Sequence, residues 1–255
     1  MSLQKATAAI TISIDATIAT IEFGHPASNS FPSLLLKELT STIETVGQNP
    51  EVAVVVLKSQ GTAAFCAGAS FDELLAVANE AEGKTFFSGF AHLINAMRKC
   101  PKLIIGRIQG KAIGGGVGIV AACDYVLASQ EASIKLSELA IGIGPFVIEP
   151  AVSRKIGKTA LTELSLAAQE WKSATWAKEK GLYANTFESI EKLDAAVAEL
   201  AFQITTYNSE ALAELKKVLW EGTEHWDTLL IERAAITGKL VLSEATKTAL
   251  AAFKK

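Results

Sequence analysis

The chain has 255 residues, 49% of them hydrophobic and 7% aromatic, enough for a large core that needs no disulfide or metal staple. Its 24 basic and 27 acidic residues are mixed along the chain and leave a net charge of -3, so no nucleic-acid or membrane-binding patch is expected. No apolar run is long enough to span a bilayer and Met1 to Lys5 opens no secretion signal, so the expected setting is cytoplasmic.

Ile10, Ile12 and Ile14 alternate as in a strand, Asp15-Ala16 turns the chain, and Ile18 to Phe23 reads as the returning strand. Ser30 and Pro32 mark a helix start. Phe31, Leu34, Leu35, Leu39, Ile43 and Val46 follow at helical spacing until Gly47 to Pro50. The β-branched run from Val52 to Leu57 suits a strand buried on both faces. A small-residue loop follows over 59–69. Helices are expected at 71–79 and 85–99, and strands at 103–108 and 125–128. The pattern suggests two strands and a helix, repeated. After about residue 143 the chain turns helical, with segments near 146–156, 159–168, 173–180, 189–206, 208–221, 224–237 and 243–254. Gly157, Gly181, Gly222 and Gly238 sit at or near their expected ends.

The three cysteines (Cys66, Cys100, Cys123) and three histidines (His25, His92, His225) show no C-x-x-C or H-x-x-x-H spacing. Neither a zinc site nor a catalytic triad is expected, and no metal is assigned.

Three segments carry chemical interest. In Phe65-Cys66-Ala67-Gly68-Ala69-Ser70-Phe71, tiny side chains precede a helix start. A ligand can approach that backbone closely, and the unpaired N–H groups of the helix start can donate to an anion. A tight strand-to-helix turn accounts for the same composition. In Gly110-Lys111-Ala112-Ile113-Gly114-Gly115-Gly116-Val117-Gly118, the triple glycine is costly in backbone entropy and implies a close ligand or a crowded helix crossing. In Lys135-Leu136-Ser137-Glu138-Leu139-Ala140, a carboxylate stands in an apolar stretch. Such surroundings raise proton affinity and suit proton transfer near neutral pH, although an exposed Glu at a helix start has the same sequence.

Two look-alikes are set against these. Gly116-x-Gly118-x-x-Ala121 with Glu138 loosely matches a dinucleotide fingerprint, but that motif begins directly at a strand end. Gly157-Lys158-Thr159 lacks the glycine a phosphate loop needs at position 152, which is Val.

The order and spacing of the three segments, with Ala122-Cys123-Asp124, resemble the crotonase superfamily, the enoyl-CoA hydratases and isomerases. The stretch from Leu136 to Ile143, with Pro145 and Pro150, is similar to bacterial methylglutaconyl-CoA hydratase-like members. The resemblance implies an α/β fold, a spiral of ββα repeats over 1–195 carrying an acyl-CoA site. A helical C-terminal region over 196–255 would assemble a homotrimer or a dimer of trimers. It further implies an oxyanion hole made by the N–H groups of Ala69 and Gly115, and Glu138 as proton carrier. Ala27, Ala67, Ser70, Phe71 and Gly114 would contact the acyl-CoA thioester, and Lys254 is a candidate for its 3′-phosphate. No cofactor is expected, since coenzyme A belongs to the substrate.

Family hydratases usually carry a second glutamate, and its position here is Gly118. Hydration of an α,β-unsaturated acyl-CoA leads, and a Δ3,Δ2-enoyl-CoA isomerase using one Glu follows; Glu149 is a possible substitute acid. From other classes come a nicotinamide-nucleotide-binding oxidoreductase and a non-catalytic CoA-ester binder. Pocket walls are expected from 85–99, from Phe146 to Ile148 and from a neighbouring subunit. Leucine breakdown, fatty-acid oxidation and polyketide branching all fit as pathways.

Overall fold

The computed structural model describes residues 9–252. The alternating isoleucines form a hairpin of β1 (Ala9–Asp15) and β2 (Ile18–Gly24), with Ala16 at φ 51° in its turn. Ala19, Ile21 and Phe23 of β2 are fully buried. β1 lies at the sheet edge and leaves Ile12 and Ile14 about half exposed. Helix α1 (Ser33–Gln48) starts after Pro32, whose extended backbone forms the cap. Phe31 stays outside that helix and bridges to Ala69 instead. Leu34, expected on the apolar face, is 75% exposed, because the buried stripe runs through Leu35, Leu36, Leu39, Ile43 and Val46.

Three turns of a spiral follow. The first holds β3 (Val54–Ser59), β4 (Ala64–Cys66), α2 (Phe71–Ala76) and α3 (Glu80–Lys99). The second holds β5 (Leu103–Ile108), β6 (Lys111–Ile113) and α4 (Gly115–Ala122). The third holds β7 (Tyr125–Ser129), β8 (Ile134–Lys135) and, after a 3₁₀ turn at Leu139–Ile141, α5 (Glu149–Leu166). The long strands join a six-stranded sheet ordered β1-β2-β3-β5-β7-β9, and the short ones a three-stranded sheet ordered β4-β6-β8. Every strand pair except β1–β2 is parallel. The short strands lie where the sequence reads as loop, since two or three residues cannot display a period.

The chain continues through α6 (Ala174–Glu179), β9 (Asn185–Phe187), α7 (Ile190–Thr205), α8 (Ser209–Leu219), α9 (Trp226–Leu240) and α10 (Glu244–Ala252). β9, unforeseen from sequence, pairs with β7 at the far edge of the large sheet. Gly157, at φ 74°, breaks α5 between the two helices expected there. Gly238 differs from expectation. It lies inside α9, where a Cβ would come within 2.4 Å of the Lys84 amide nitrogen on α3. Its role is a close helix crossing, not a helix end. No helix among the described residues is long and apolar enough to cross a membrane. Lys254 and the end of the expected last helix lie outside the described residues.

The helical region is pinned to the spiral by buried charge. Asp124, just after α4, accepts from Lys216 Nζ at 2.5 Å, from Trp220 Nε1 at 2.7 Å and from the Ile104 N–H at 2.7 Å. Lys216 also donates to the Met97 carbonyl at 3.0 Å, and both charged side chains are 3% exposed. Removing one member of such a pair leaves the other charge uncompensated. Lys216→Met should therefore lower the unfolding free energy by about 3–5 kcal/mol in urea denaturation. Unchanged stability would mean that Asp124 is satisfied without it.

Candidate active site

The segments that follow β4, β6 and β8 converge on one cavity of about 450 Å³. Gly68 and Gly114, at φ 86° and 52°, hold conformations that disfavour any side chain. A methyl group on Gly68 would lie 3.0 Å from the Ile113 carbonyl oxygen and 3.7 Å from the Gly115 nitrogen. On Gly114 it would lie 2.9 Å from Glu138 Oε1, and on Gly115 2.3 Å from Phe90 Cε1. The triple glycine thus serves a close approach of three segments and an aromatic ring.

Phe31 donates to the Gly68 carbonyl at 2.8 Å, and Ser70 N–H donates to the Phe31 carbonyl at 2.9 Å. This bridge fixes the loop and leaves the Ala69 N–H outside it. The Gly115 N–H opens α4, where no intrahelical acceptor exists. Among the described residues, neither donor meets a backbone carbonyl. The two N–H groups therefore belong to the same cavity, with hydrogen-bonding capacity unspent.

Glu138 ends the third segment. Its carbonyl accepts from Ile141 and Ile143, at 3.2 and 3.0 Å, which holds the 3₁₀ turn. The turn is tied to α10 by Thr246 Oγ1, which donates to the Gly142 carbonyl at 3.0 Å. Glu138 Oε2 is buried with no hydrogen-bond partner. Burial pushes the carboxyl pKa from 4.5 up to about 7. Such a group exchanges protons readily near neutrality.

The place of the second family glutamate is closed. A methyl group on Gly118 would come within 2.4 Å of Ile148 Cγ2, and Ile148 is 3% exposed. Glu149 lies outside the lining and pairs with Lys158 at 3.0 Å and Arg233 at 3.9 Å. Among the described residues Glu138 is the one carboxylate in the cavity wall.

Ala67, Ala69, Phe71, Gly114, Gly115 and Glu138 all line the cavity. Ser70 does not; its hydroxyl caps α2, accepting from the Glu73 N–H at 3.4 Å. Ala27 is exposed on the neighbouring loop, outside the cavity wall. That loop is held beside Ala67, whose N–H donates to the Ser28 carbonyl at 3.1 Å. Phe87 and Phe90 of α3, with Val147 and Ile148, supply the expected walls, while Phe146 is absent from the lining. Sequence reasoning missed Lys135 and Gln169, and also Thr237, Ala249 and Ala252 from the last two helices. No local motif marks these; only the fold assembles them. Gly116 and Gly118 sit inside α4 instead of at a strand-to-helix turn, so the dinucleotide fingerprint lacks its geometry. Among the described residues, no group of three His, Cys, Asp or Glu is placed to hold a metal ion.

A sequence profile described as enoyl-CoA hydratase/isomerase matches residues 13–253. The chain is 27% identical over 251 residues to a probable enoyl-CoA hydratase of Bacillus subtilis, covering 96% of this chain and 95% of the relative. It is 28% identical over 200 residues to the mitochondrial methylglutaconyl-CoA hydratase of Rattus norvegicus, covering 77% and 63%. An enoyl-CoA hydratase structure from Bacillus halodurans superimposes with a TM-score of 0.89 at 21% identity, over 95% of this chain and 99% of that one. That last likeness is one of fold.

The raised pKa of Glu138 has a stability consequence. Between about 4.5 and about 7 the folded state holds a proton that the unfolded chain releases, so this contribution is full below pH 4.5 and lost as pH rises through 7. Glu138→Gln removes the titration. Its Tm relative to the parent should climb on the order of 5 °C between pH 5 and pH 8. A Tm difference independent of pH would show the carboxyl to be solvated.

Proposed function

The chain belongs to the enoyl-CoA hydratase/isomerase family, and from its site we propose that it hydrates an α,β-unsaturated acyl-CoA with Glu138 as the sole proton carrier. The reading is carried by one observation: an unpartnered buried carboxyl beside two unpaired main-chain donors in one cavity. The N–H groups of Ala69 and Gly115 would receive the thioester oxygen. As carboxylate, Glu138 takes a proton from water while the water oxygen bonds to Cβ. The double-bond electrons move toward the thioester, giving an enolate held by the two donors. Glu138 then returns its proton to Cα, so one water is added and the carboxylate is regenerated. Two preplaced donors in a dry site each contribute roughly 3–4 kcal/mol to holding that oxyanion. Nothing beyond the CoA carried by the substrate is required.

A second reading is favoured by Ile148, which fills the space beside Gly118 with hydrocarbon. A 1,3 proton shift between two carbons needs one carboxyl and no water, which describes a Δ3,Δ2-enoyl-CoA isomerase. Crotonyl-CoA and 3-hexenoyl-CoA, followed by product mass for added water and by ultraviolet absorbance of the conjugated enoyl thioester for double-bond migration, separate the two. Hydrated product supports the first reading, and migration of the double bond alone supports the second. Binding of both without turnover leaves a CoA-ester binder.

Glu138→Gln should lower kcat at least ~100-fold while CoA-ester binding survives. Because the ionised form starts either reaction, kcat/KM should rise about tenfold per pH unit below about pH 7 and level off above it. A flat profile from pH 5 to 8 would remove Glu138 from the proton step.

We further propose assembly as a homotrimer or a dimer of trimers. Phe202 and Tyr207, at and beyond the end of α7, and Leu215 and Val218 of α8 are 47–67% exposed in the single chain, the kind of surface that association covers. Light scattering should give three or six chain masses; a monomer would refute this. The three free buried thiols fit the proposed cytoplasmic setting.

A further inference from the structure

Hydration demands more of the cavity than a base. A water that attacks carbon must turn a lone pair toward it, so both of its hydrogens need acceptors elsewhere. Glu138 serves one of them, by taking it as the proton. The place from which a second acid would serve the other is filled by Ile148, beside Gly118. The second acceptor therefore has to come from another part of the wall.

Ser137 is placed for that task. The alternation of β8 runs on past the end of the strand. Ile134 and Leu136 are buried in the core, while Lys135 and Ser137 line the cavity. At Glu138 the backbone turns helical, with φ -59° and ψ -44°, and the next side chain reaches the same cavity. A serine before a helical turn commonly spends its oxygen on the free N–H groups of that turn. Ser70, Ser173 and Ser189 do so, accepting from the N–H groups of Glu73, Trp176 and Lys192. Ser137 does not. The Ala140 N–H goes to its carbonyl at 3.1 Å, and among the described residues its hydroxyl meets no protein partner. Nor is that oxygen sealed off. Among the described residues, Glu138 Oε2 is the one fully buried side-chain polar atom that lacks a partner. An uncommitted hydroxyl thus opens on the cavity next to an uncommitted carboxyl.

The other polar side chains of the wall are directed elsewhere. Thr237 Oγ1 donates to the Arg233 carbonyl of its own helix at 3.1 Å. Lys135 carries its ammonium to the exposed ring of Trp171, 5.5 Å from the centroid, and has no lone pair with which to accept. Gln169 is exposed. We propose that Ser137 Oγ holds the attacking water, accepting its second O–H while Glu138 takes the first proton. This rests on the hydration reading above. The water oxygen bonds to Cβ, and the proton taken by Glu138 passes on to Cα. The O–H held by Ser137 stays intact as the hydroxyl of the product. Ser137 itself neither gains nor loses a proton, so Glu138 remains the sole proton carrier.

Two reactions of the full-length protein separate holding a water from moving a proton. Hydration of crotonyl-CoA needs both, whereas exchange of the Cα protons of butyryl-CoA with deuterated water needs Glu138 and the two donors alone. Ser137→Ala should lower the hydration kcat about 10–100-fold, the scale of one hydrogen bond lost in a reacting geometry, and leave the exchange rate nearly unchanged. Ser137→Thr keeps the hydroxyl and should restore most of the hydration. Undiminished hydration in Ser137→Ala overturns this role and leaves the acyl-CoA reading standing. Equal losses in hydration and exchange overturn it too, since Ser137 would then only support Glu138. Hydration as poor in Ser137→Thr as in Ser137→Ala, with exchange intact in both, also counts against a hydroxyl role. Exchange by the parent without any hydration overturns the role together with the hydration reading, and leaves the isomerase. A parent that performs neither reaction overturns the acyl-CoA reading as well.

Discussion

Backbone meets backbone, ring and carboxyl at Gly68, Gly114 and Gly115, and every other feature of the site depends on this contact. No Cβ fits at Gly114 or Gly115: the virtual atoms fall 2.3–2.9 Å from Glu138 or Phe90. Any side chain there would displace the Glu138 carboxyl or drive α3 outward. The register of β4, β6 and β8 sets where these segments end, so three successive turns of the spiral each deliver one functional group to a common point. Under the proposed function the chemistry is mostly main-chain, so it would need the fold to be right to within an atom's width.

The environment of Glu138 follows from what fills the space left by Gly118. Ile148 brings hydrocarbon where a second acid would stand, and Phe87, Phe90 and Val147 extend that apolar wall. With no partner for Oε2, burial alone raises the carboxyl's proton affinity. A second ionised carboxylate nearby would have raised it by repulsion; a dry wall does so without another charge. One group near pKa 7 can both accept and return a proton at physiological pH, so the loss of a second acid does not by itself end catalysis.

The elements with a period were legible from sequence: the isoleucine hairpin, the buried strands at 54–59 and 103–108, and the long helices. The short strands β4, β6, β8 and β9 were not, because two or three residues hold no hydrophobic pattern and owe their conformation to neighbours far along the chain. Close backbone approach was legible in the runs of tiny residues around Gly68 and Gly114, since such runs are physically costly, while the assignment of Ala69 and Gly115 as donors came from the family resemblance. Side-chain assignments fared less well. Ser70 reads as a ligand contact but spends its hydroxyl on capping α2. Ile148 carries no sequence sign that it closes over Gly118, an encounter made only when α5 folds back on α4.

The helical third of the chain is part of the site's mechanics. Thr246 hydrogen-bonds the Gly142 carbonyl, so the turn that aims Glu138 is braced by α10, more than a hundred residues downstream. Gly83 and Gly238 let α3 and α9 cross in backbone contact, which fixes the helix bearing Phe87 and Phe90. Thr237, Ala249 and Ala252 then close the cavity wall. The division of labour is physical. Donors and proton carrier sit on the spiral, where strand register is rigid. Part of the surrounding wall comes from α9 and α10, the latter tied to the spiral by the Thr246–Gly142 hydrogen bond. Wall substitutions in α9 and α10 that spare Thr246 can reshape the cavity while Ala69, Gly115 and Glu138 stay in place, which under the proposed function would let one chemical core accept differently shaped acyl groups.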